Sequence, residues 1–248
     1  MPGPFDDLET APLAPQTLEV LGTVGTATLS MQLLKRGIRR HWMNGPKPLD
    51  PAHARFVGEA FTLCFLPLRE DLGSPESYAR PGSIREAIEA MPSGKVMVVD
   101  ARGEQGAAPI GDLLLWRMQR RGAIAFVSDG AVRDVAEIRR VGIPTFCTGT
   151  AAPPSIAGLV FAGWGAPIGC GGATVLPGDI VAGDEDGVVV VPRALADEIA
   201  ENAPEQERFE RYVQMRVRAG DPVVGLYPPN EQTLQAYQAW LDAGEPEE

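Results

Sequence analysis

GDLLLWRMQRRGAIAFVSDGAVRD, residues 111–134, holds two strand-to-helix turns in succession, and each sets acidic residues where a strand ends. Asp112 falls in the first turn, and Asp129, Arg133 and Asp134 fall in and just after the second. In open α/β sheets, ligands bind at the carboxyl ends of strands, where loops and helix N-termini converge. Two carboxylates and a guanidinium gathered there suggest a hard divalent cation beside an anionic organic molecule. The pattern is that of a small-molecule site, and of an enzyme's.

Working outward, the α/β rhythm continues on both sides. KVMVVD (95–100) reads as a buried strand, 111–121 as a helix, AIAFVS (123–128) as a strand, DVAEIRRVG (134–142) as a helix and PTFC (144–147) as a strand. Continuous apolar strands alternating with helices predict an α/β fold on a parallel or mixed sheet covered on its faces. Upstream, 15–37 reads as two short helices, the second capped by Thr26 or Thr28 and closed at Gly37. FVGEAFTLCFLP (56–67) is strand-like and ends at Pro67, and the charged, turn-rich stretch 69–82 reads as a mobile loop and a candidate cover for a site. Ser83 and Glu86 have the spacing of a capping box. Downstream, the Gly/Pro-rich 150–178 suggests β-structure with tight turns, 179–192 a hairpin turning at 185–187, and 193–219 a long charged helix. Asn230 caps a last helix through Trp240. With no linker in the middle, the expectation is a loose arm over 1–14, one α/β domain over 15–220, and a helical extension over 221–248. Phe209, Val213 and Val217 form an apolar stripe that packs on the chain's own core or on a partner subunit.

Composition narrows the function classes. The 248 residues carry a formal charge of −11 and 44% hydrophobic residues, enough for a sizeable core and the wrong sign for non-specific nucleic-acid binding. An anionic substrate stays compatible with that charge, because a local arginine and a metal reverse the potential inside a cleft. Cys64, Cys147 and Cys170 lack CxxC spacing and read as small buried hydrophobes in a reducing cytosol. His41 and His53 are too few and too isolated for a histidine-rich zinc site. The acidic, Pro-rich MPGPFDDLETAPLAP has neither an apolar h-region nor a basic start, and no apolar stretch reaches the length of a membrane span. The expectation is a cytoplasmic protein without nucleic-acid or membrane partners.

Each constellation has a plainer reading beside the chemical one. Gly111 permits an unusual backbone angle just before a helix, and the first helical N–H groups, here of Leu113 and Leu114, lack internal partners and can hold a carboxylate. Taken alone, Asp112 reads first as the cap of that helix. An arginine at a helix start opposes the macrodipole, a cost easier to understand if Arg133 has an anionic ligand; the alternative is a capping Asp134 beside a surface ion pair. The acids Asp179, Asp184, Glu185 and Asp186 suggest a calcium loop at first sight, but the spacing is that of a hairpin turn. Gly169–Gly172 lacks the GxGxxG form, and neither a GxSxG elbow nor a phosphate loop occurs.

On Gly111-Asp112-Leu113-Leu114, the run Asp129 to Asp134, Pro177-Gly178-Asp179 and Asp186-Gly187-Val188, the chain resembles the RraA-like family. That family includes class II 4-hydroxy-4-methyl-2-oxoglutarate / 4-carboxy-4-hydroxy-2-oxoadipate aldolases and protein regulators of ribonuclease E. The resemblance extends from about residue 18 to 220 and implies a swivelling-type α/β sandwich assembled as a homotrimer or hexamer with sites between subunits. It implies that Asp134 binds Mg²⁺ or Mn²⁺ directly and that Asp112 holds a metal-bound water. It further implies that Arg133 and the N–H groups of Leu113 and Leu114, beside Gly111, grip pyruvate. A glutamate of the neighbouring subunit, Glu210 or alternatively Glu207, joins the water shell.

The implied chemistry is retro-aldol cleavage of a 4-hydroxy-2-oxo acid to pyruvate through a charge-stabilised enolate, with oxaloacetate decarboxylation at the same site. No Schiff-base lysine is required, and Lys35, Lys47 and Lys95 lie outside these turns. The alternatives are a protein-binding regulator of ribonuclease activity on the same fold and, more weakly, hydration or isomerisation of a 2-oxo acid. The 69–82 loop and the extension GLYPPNEQTLQAYQAW (225–240) depart from the compact aldolases and leave the substrate's distal half open.

Overall fold

Helices return the chain between successive strands through the middle of the sequence, and that alternation builds a parallel core. The computed structural model describes residues 12–246. Two short helices, α1 (Thr17–Thr23) and α2 (Thr26–Lys35), and a two-residue strand, β1 (Lys47–Pro48), come first. β2 (Phe56–Pro67) leads through α3 (Ile84–Ala90) to β3 (Lys95–Asp100), and through α4 (Asp112–Arg120) to β4 (Ala125–Ser128). β5 (Ala131–Val132) and α5 (Val135–Val141) then lead to β6 (Thr145–Cys147). β2, β3, β4 and β6 lie side by side, all parallel. Beyond them come β7 (Gly149–Thr150), β8 (Leu159–Trp164), and two hairpins, β9 (Ile168–Cys170) with β10 (Ala173–Val175) and β11 (Ile180–Asp184) with β12 (Gly187–Val191). α6 (Arg193–Arg218) and α7 (Glu231–Asp242) follow.

The sheet is mixed. β11 pairs antiparallel with the start of β2 and β8 with its end, the β8 register shifting between Cys64 and Phe65. Its two extremes are then brought together: Met43 N donates to Val188 O of β12 at 2.9 Å, while four residues on Lys47 pairs with Cys147 of β6. The sheet thus nearly closes on itself. The mixed sheet and the helices at both ends match expectation; the curvature does not follow from periodicity, because two-residue pairings and one bulge produce it.

β3 explains why continuous apolar strands were legible. Met97 and Val99 point to a core shared with Ile88, Leu115, Met118 and Ile138 of α3, α4 and α5. Val96 and Val98 point the other way, to Phe146, Val175, Val188 and Val190 inside the curl. Both faces are dry, and each fully buried side chain of this size contributes about 1.5–3 kcal/mol.

Several boundaries differ from expectation in instructive ways. The N-cap of α2 is Gly25, not Thr26 or Thr28. Thr26 instead gives its N–H (2.8 Å) and hydroxyl (2.6 Å) to the carboxylate of Asp184 across the fold, and Gly37 closes the helix at φ +81. The capping box does not form as such: Glu86 accepts from Gly82 N, one residue before the Ser83 cap, and the Ser83 side chain makes no cap bond. The 69–82 stretch contains a 3₁₀ turn, Pro75–Ala79. By compactness the chain divides between Ala200 and Glu201, inside α6. In the C-terminal unit Asn230 caps α7 through Thr233 N, and Tyr212, Leu226 and Tyr237 form a buried cluster with Phe209 and Val213, whereas Val217 stays exposed. Most of the expected 1–14 arm lies outside the described residues. Among the described residues, no helix is long and apolar enough to cross a membrane.

Candidate active site

The second corner begins with an aspartate that faces inward. Asp129, just after β4, accepts from Ala101 N at 2.7 Å and from Gly171 N at 3.4 Å, so it ties the two corners to the β9–β10 hairpin. Burial pushes its carboxyl above the ordinary value, and nearby Asp100 adds to the effect. Asp129 is therefore a brace and does not line the cleft described below. The next residues run as β5 alongside β7, and Val132 also bridges Ile110 in parallel, with Arg133 N donating to Ile110 O at 3.2 Å. That pairing lays Arg133 and Asp134 against the start of α4.

Gly111 is the residue that makes the approach possible. A Cβ there would stand 2.6 Å from Asp134 Oδ2 and 3.1 Å from Arg133 Cγ, and its φ of −131 needs no glycine on conformational grounds. The requirement is space. Asp134 adopts the left-handed region (φ 60, ψ 41), which aspartate tolerates better than most residues and which aims its side chain back toward Arg133. Arg133 Nε donates to Asp134 Oδ2 at 3.0 Å, with both side chains more than a third exposed. At the N-terminus of α4 the N–H groups of Leu113 and Leu114 have no main-chain acceptor, and the Asp112 side chain has no partner among the described residues. Asp112 sits in the first turn without making a cap bond, so the plain capping reading does not hold.

These parts meet in one cleft of about 420 Å³, whose lining includes Gly111, Asp112, Leu113, Leu114, Arg133 and Asp134. All lie in the N-terminal unit. Opposite them the cleft is walled by residues that the sequence reading did not single out: Tyr78 and Arg85 from the 69–82 loop and α3, and Ser155. The Tyr78 hydroxyl lies 3.2 Å from Ser155 Oγ, and the Arg85 guanidinium stacks 4.5 Å over the Tyr78 ring. The only available signal was Tyr78 as the single aromatic of a charged loop; Ser155 gave none.

The donor set suits a hard cation in part. Asp112 and Asp134 offer carboxylate oxygens at the mouth of the cleft, the ligand type that Mg²⁺ or Mn²⁺ takes with several waters retained. No group of three or more His, Cys, Asp or Glu placed to hold a metal occurs among the described residues. Glu210 lies in the C-terminal unit, accepting from Gln206 Nε2 (2.9 Å) and the Tyr227 hydroxyl (3.1 Å). Two of the hairpin acids are already engaged: Asp179 accepts from Leu176 N and Arg193 N, and Asp184 from Thr26 and Asp186 N, so both serve the hairpin structure. Cys64, Cys147 and Cys170 are free thiols, and burial pushes each above its ordinary value, away from thiolate chemistry.

Comparison with known proteins places this geometry in context. The family profile RraA-like, described as Aldolase/RraA, matches residues 26–190, well over half the chain. A protein of Halalkalibacterium halodurans named "Putative 4-hydroxy-4-methyl-2-oxoglutarate aldolase" is 36% identical over 127 residues, covering 50% of this chain and 58% of that protein. Protein DlpA of Legionella pneumophila is 29% identical over 243 residues, 97% of this chain but only 37% of its own length. The chain thus spans about a third to three-fifths of these relatives. Among solved structures, Streptomyces coelicolor RraAS2, described as an unusual member of the RNase ES inhibitor RraA protein family, superposes with a TM-score of 0.75 at 34% identity, covering 83% of this chain and 99% of that one.

Proposed function

The chain belongs to the RraA-like family, and from that membership we propose that its cleft is the site of a divalent-metal-dependent carbon–carbon lyase that releases pyruvate from a 4-hydroxy-2-oxo acid. The observation that carries this reading is the convergence, in one cleft, of the open N–H groups of Leu113 and Leu114, the Arg133 guanidinium and the carboxylates of Asp112 and Asp134. The aldolase name of the Halalkalibacterium relative supports the same class.

The residues divide the work by charge. The helix N-terminus at Leu113 and Leu114 and the Arg133 fork bind the substrate carboxylate and its 2-oxo oxygen, one by dipole and N–H donation, the other by full charge. Gly111 keeps that floor flat. In the cleavage the C4 hydroxyl loses its proton, the C3–C4 bond breaks, and C4 becomes a carbonyl. The bonding pair moves through C3 and C2 to the 2-oxo oxygen, where Arg133 meets the developing negative charge. Asp112, half-buried and without a partner among the described residues, accepts the hydroxyl proton directly or through a water, and reprotonation at C3 gives pyruvate. Asp134 and Asp112 would hold a divalent cation, which would supply further positive charge to stabilise the enolate. Oxaloacetate fits the same floor, with CO₂ leaving in place of the carbonyl product. The proposal includes a homotrimer or hexamer in which Glu210 of a neighbouring subunit completes the shell, and the swivelling-type architecture implied for the family.

The test is pyruvate release from oxaloacetate with Mg²⁺ or Mn²⁺, followed by EDTA. Metal-dependent release that EDTA abolishes, and that Arg133→Ala lowers by a factor of about 10²–10³, is the expected result. Absence of metal-dependent activity on every small 2-oxo acid, with ligand binding unchanged in Arg133→Ala, removes the reading. The likeness to RraAS2 favours one second reading, a protein-binding regulator of ribonuclease activity. Capture of an endoribonuclease that is indifferent to Arg133→Ala would promote it.

A further inference from the structure

The active-site cleft does not end at its polar floor. A second cavity of about 260 Å³ lies under the 69–82 loop and shares Tyr78, Ile84 and Ser155 with the first. Its lining is largely apolar: Phe65, Leu72, Ile156, Leu159 and Phe161, from β2, the loop, a 3₁₀ turn and β8, with Ser77 and Ser83 beside them. Only one charged side chain lines it, the exposed Arg80. The Tyr78–Ser155 contact at 3.2 Å stands where the two spaces adjoin, and Arg85 stacked on the Tyr78 ring fixes that ring from outside.

The geometry points to this apolar chamber as the subsite for the distal half of the substrate, and so to a 4-hydroxy-2-oxo acid whose C4 side carries a hydrocarbon group instead of a second carboxylate. The inference rests on the lyase reading of the floor. A carboxylate or a lone methyl would leave such a lined space largely unfilled, and an ionised group seated against Phe65, Leu159 and Phe161 would lose water with a single exposed arginine in return. A hydrocarbon chain loses nothing there, and each methylene it buries is worth about fourfold in affinity. Tyr78 and Ser155 act as positioning residues at the junction, setting where the polar end of the substrate stops and the apolar end begins.

The test is competitive binding against pyruvate-sized oxalate, using two six-carbon probes that differ only at the far end, 2-oxohexanoate and 2-oxoadipate, in the presence of Mg²⁺. The expected result is that 2-oxohexanoate binds at least about tenfold more tightly than pyruvate, and 2-oxoadipate less tightly than 2-oxohexanoate. Val160→Trp, which fills the chamber from β8, and independently Ser77→Trp, which fills it from the loop, each remove that gain while oxalate binds as in the parent. Equal binding of pyruvate and 2-oxohexanoate, with oxalate still bound, overturns the subsite and leaves the lyase floor standing. Tighter binding of 2-oxoadipate, lost in Arg80→Ala, overturns the hydrocarbon assignment in favour of a dicarboxylate. Failure of oxalate to bind the parent removes both the floor and the subsite.

Discussion

Two groups of aspartates sit in Gly-containing turns of this chain, and the backbone treats them in opposite ways. In the turn before β11 and in the β11–β12 hairpin, Asp179 and Asp184 have their oxygens taken by N–H groups of Leu176, Arg193, Thr26 and Asp186. At the corners after β3 and β4, among the described residues, Asp112 has no partner and Asp134 answers only to the neighbouring Arg133. Composition and spacing make the two groups look alike; the difference lies in lone pairs. An acid whose oxygens are filled by main-chain donors holds a fold together, and one whose oxygens remain open can take a cation or a proton. Asp129 shows how fine the line is. It lies five residues before Asp134, yet belongs to the first kind, braced by Ala101 and Gly171.

The comparison breaks most sharply at Asp134. Asp134→Gly relieves a left-handed backbone and removes the proposed cation ligand. Stability should stay within about 1 kcal/mol of the parent or rise, while metal-dependent pyruvate release is lost; retained turnover in that variant would place the chemistry elsewhere. Next in size is Gly111→Ala. Its methyl would stand 2.6 Å from Asp134 Oδ2, and displacing that pair by a fraction of an ångström to one ångström should lower kcat/KM by about 10² with an unchanged circular dichroism spectrum. Asp184→Ala should do the reverse. Denaturant midpoints should report a loss of about 0.5–2 kcal/mol from the unsupported start of α2, with kcat as in the parent.

The smallest effect concerns pH. Burial raises the carboxyls of Asp129 and Asp179 above the ordinary 3.8. The native state therefore holds these protons more tightly than the unfolded chain does. Their contribution to stability is complete below about pH 3.8 and is lost as pH rises through the raised native values. Asp179→Asn should flatten that part of the stability profile, read from denaturant midpoints across the acid range.

Sequence alone carried the parallel core and the floor of the cleft a long way. KVMVVD and AFVS read as strands because both faces of each are buried, and the floor read as a site because its residues stand at consecutive strand ends. What stayed hidden depends on contacts between distant segments. Thr26 has the residue type of a cap but spends its donors on Asp184, 158 positions away. The closing of the sheet rests on Met43 meeting Val188, and the outer wall of the cleft on Tyr78 meeting Ser155, pairings that no local period encodes. Gly111 was read as a conformational residue, but its necessity comes from the Arg133–Asp134 pair folded against it.

The most direct measurement is a crystal structure soaked with Mn²⁺ and oxalate, read by the anomalous signal of the ion. The account predicts one peak at Asp134 with Asp112 nearby, and oxalate between it, Arg133 and the N–H groups of Leu113 and Leu114. A peak on the acids of the β11–β12 hairpin, or oxalate bound away from the start of α4, would contradict it.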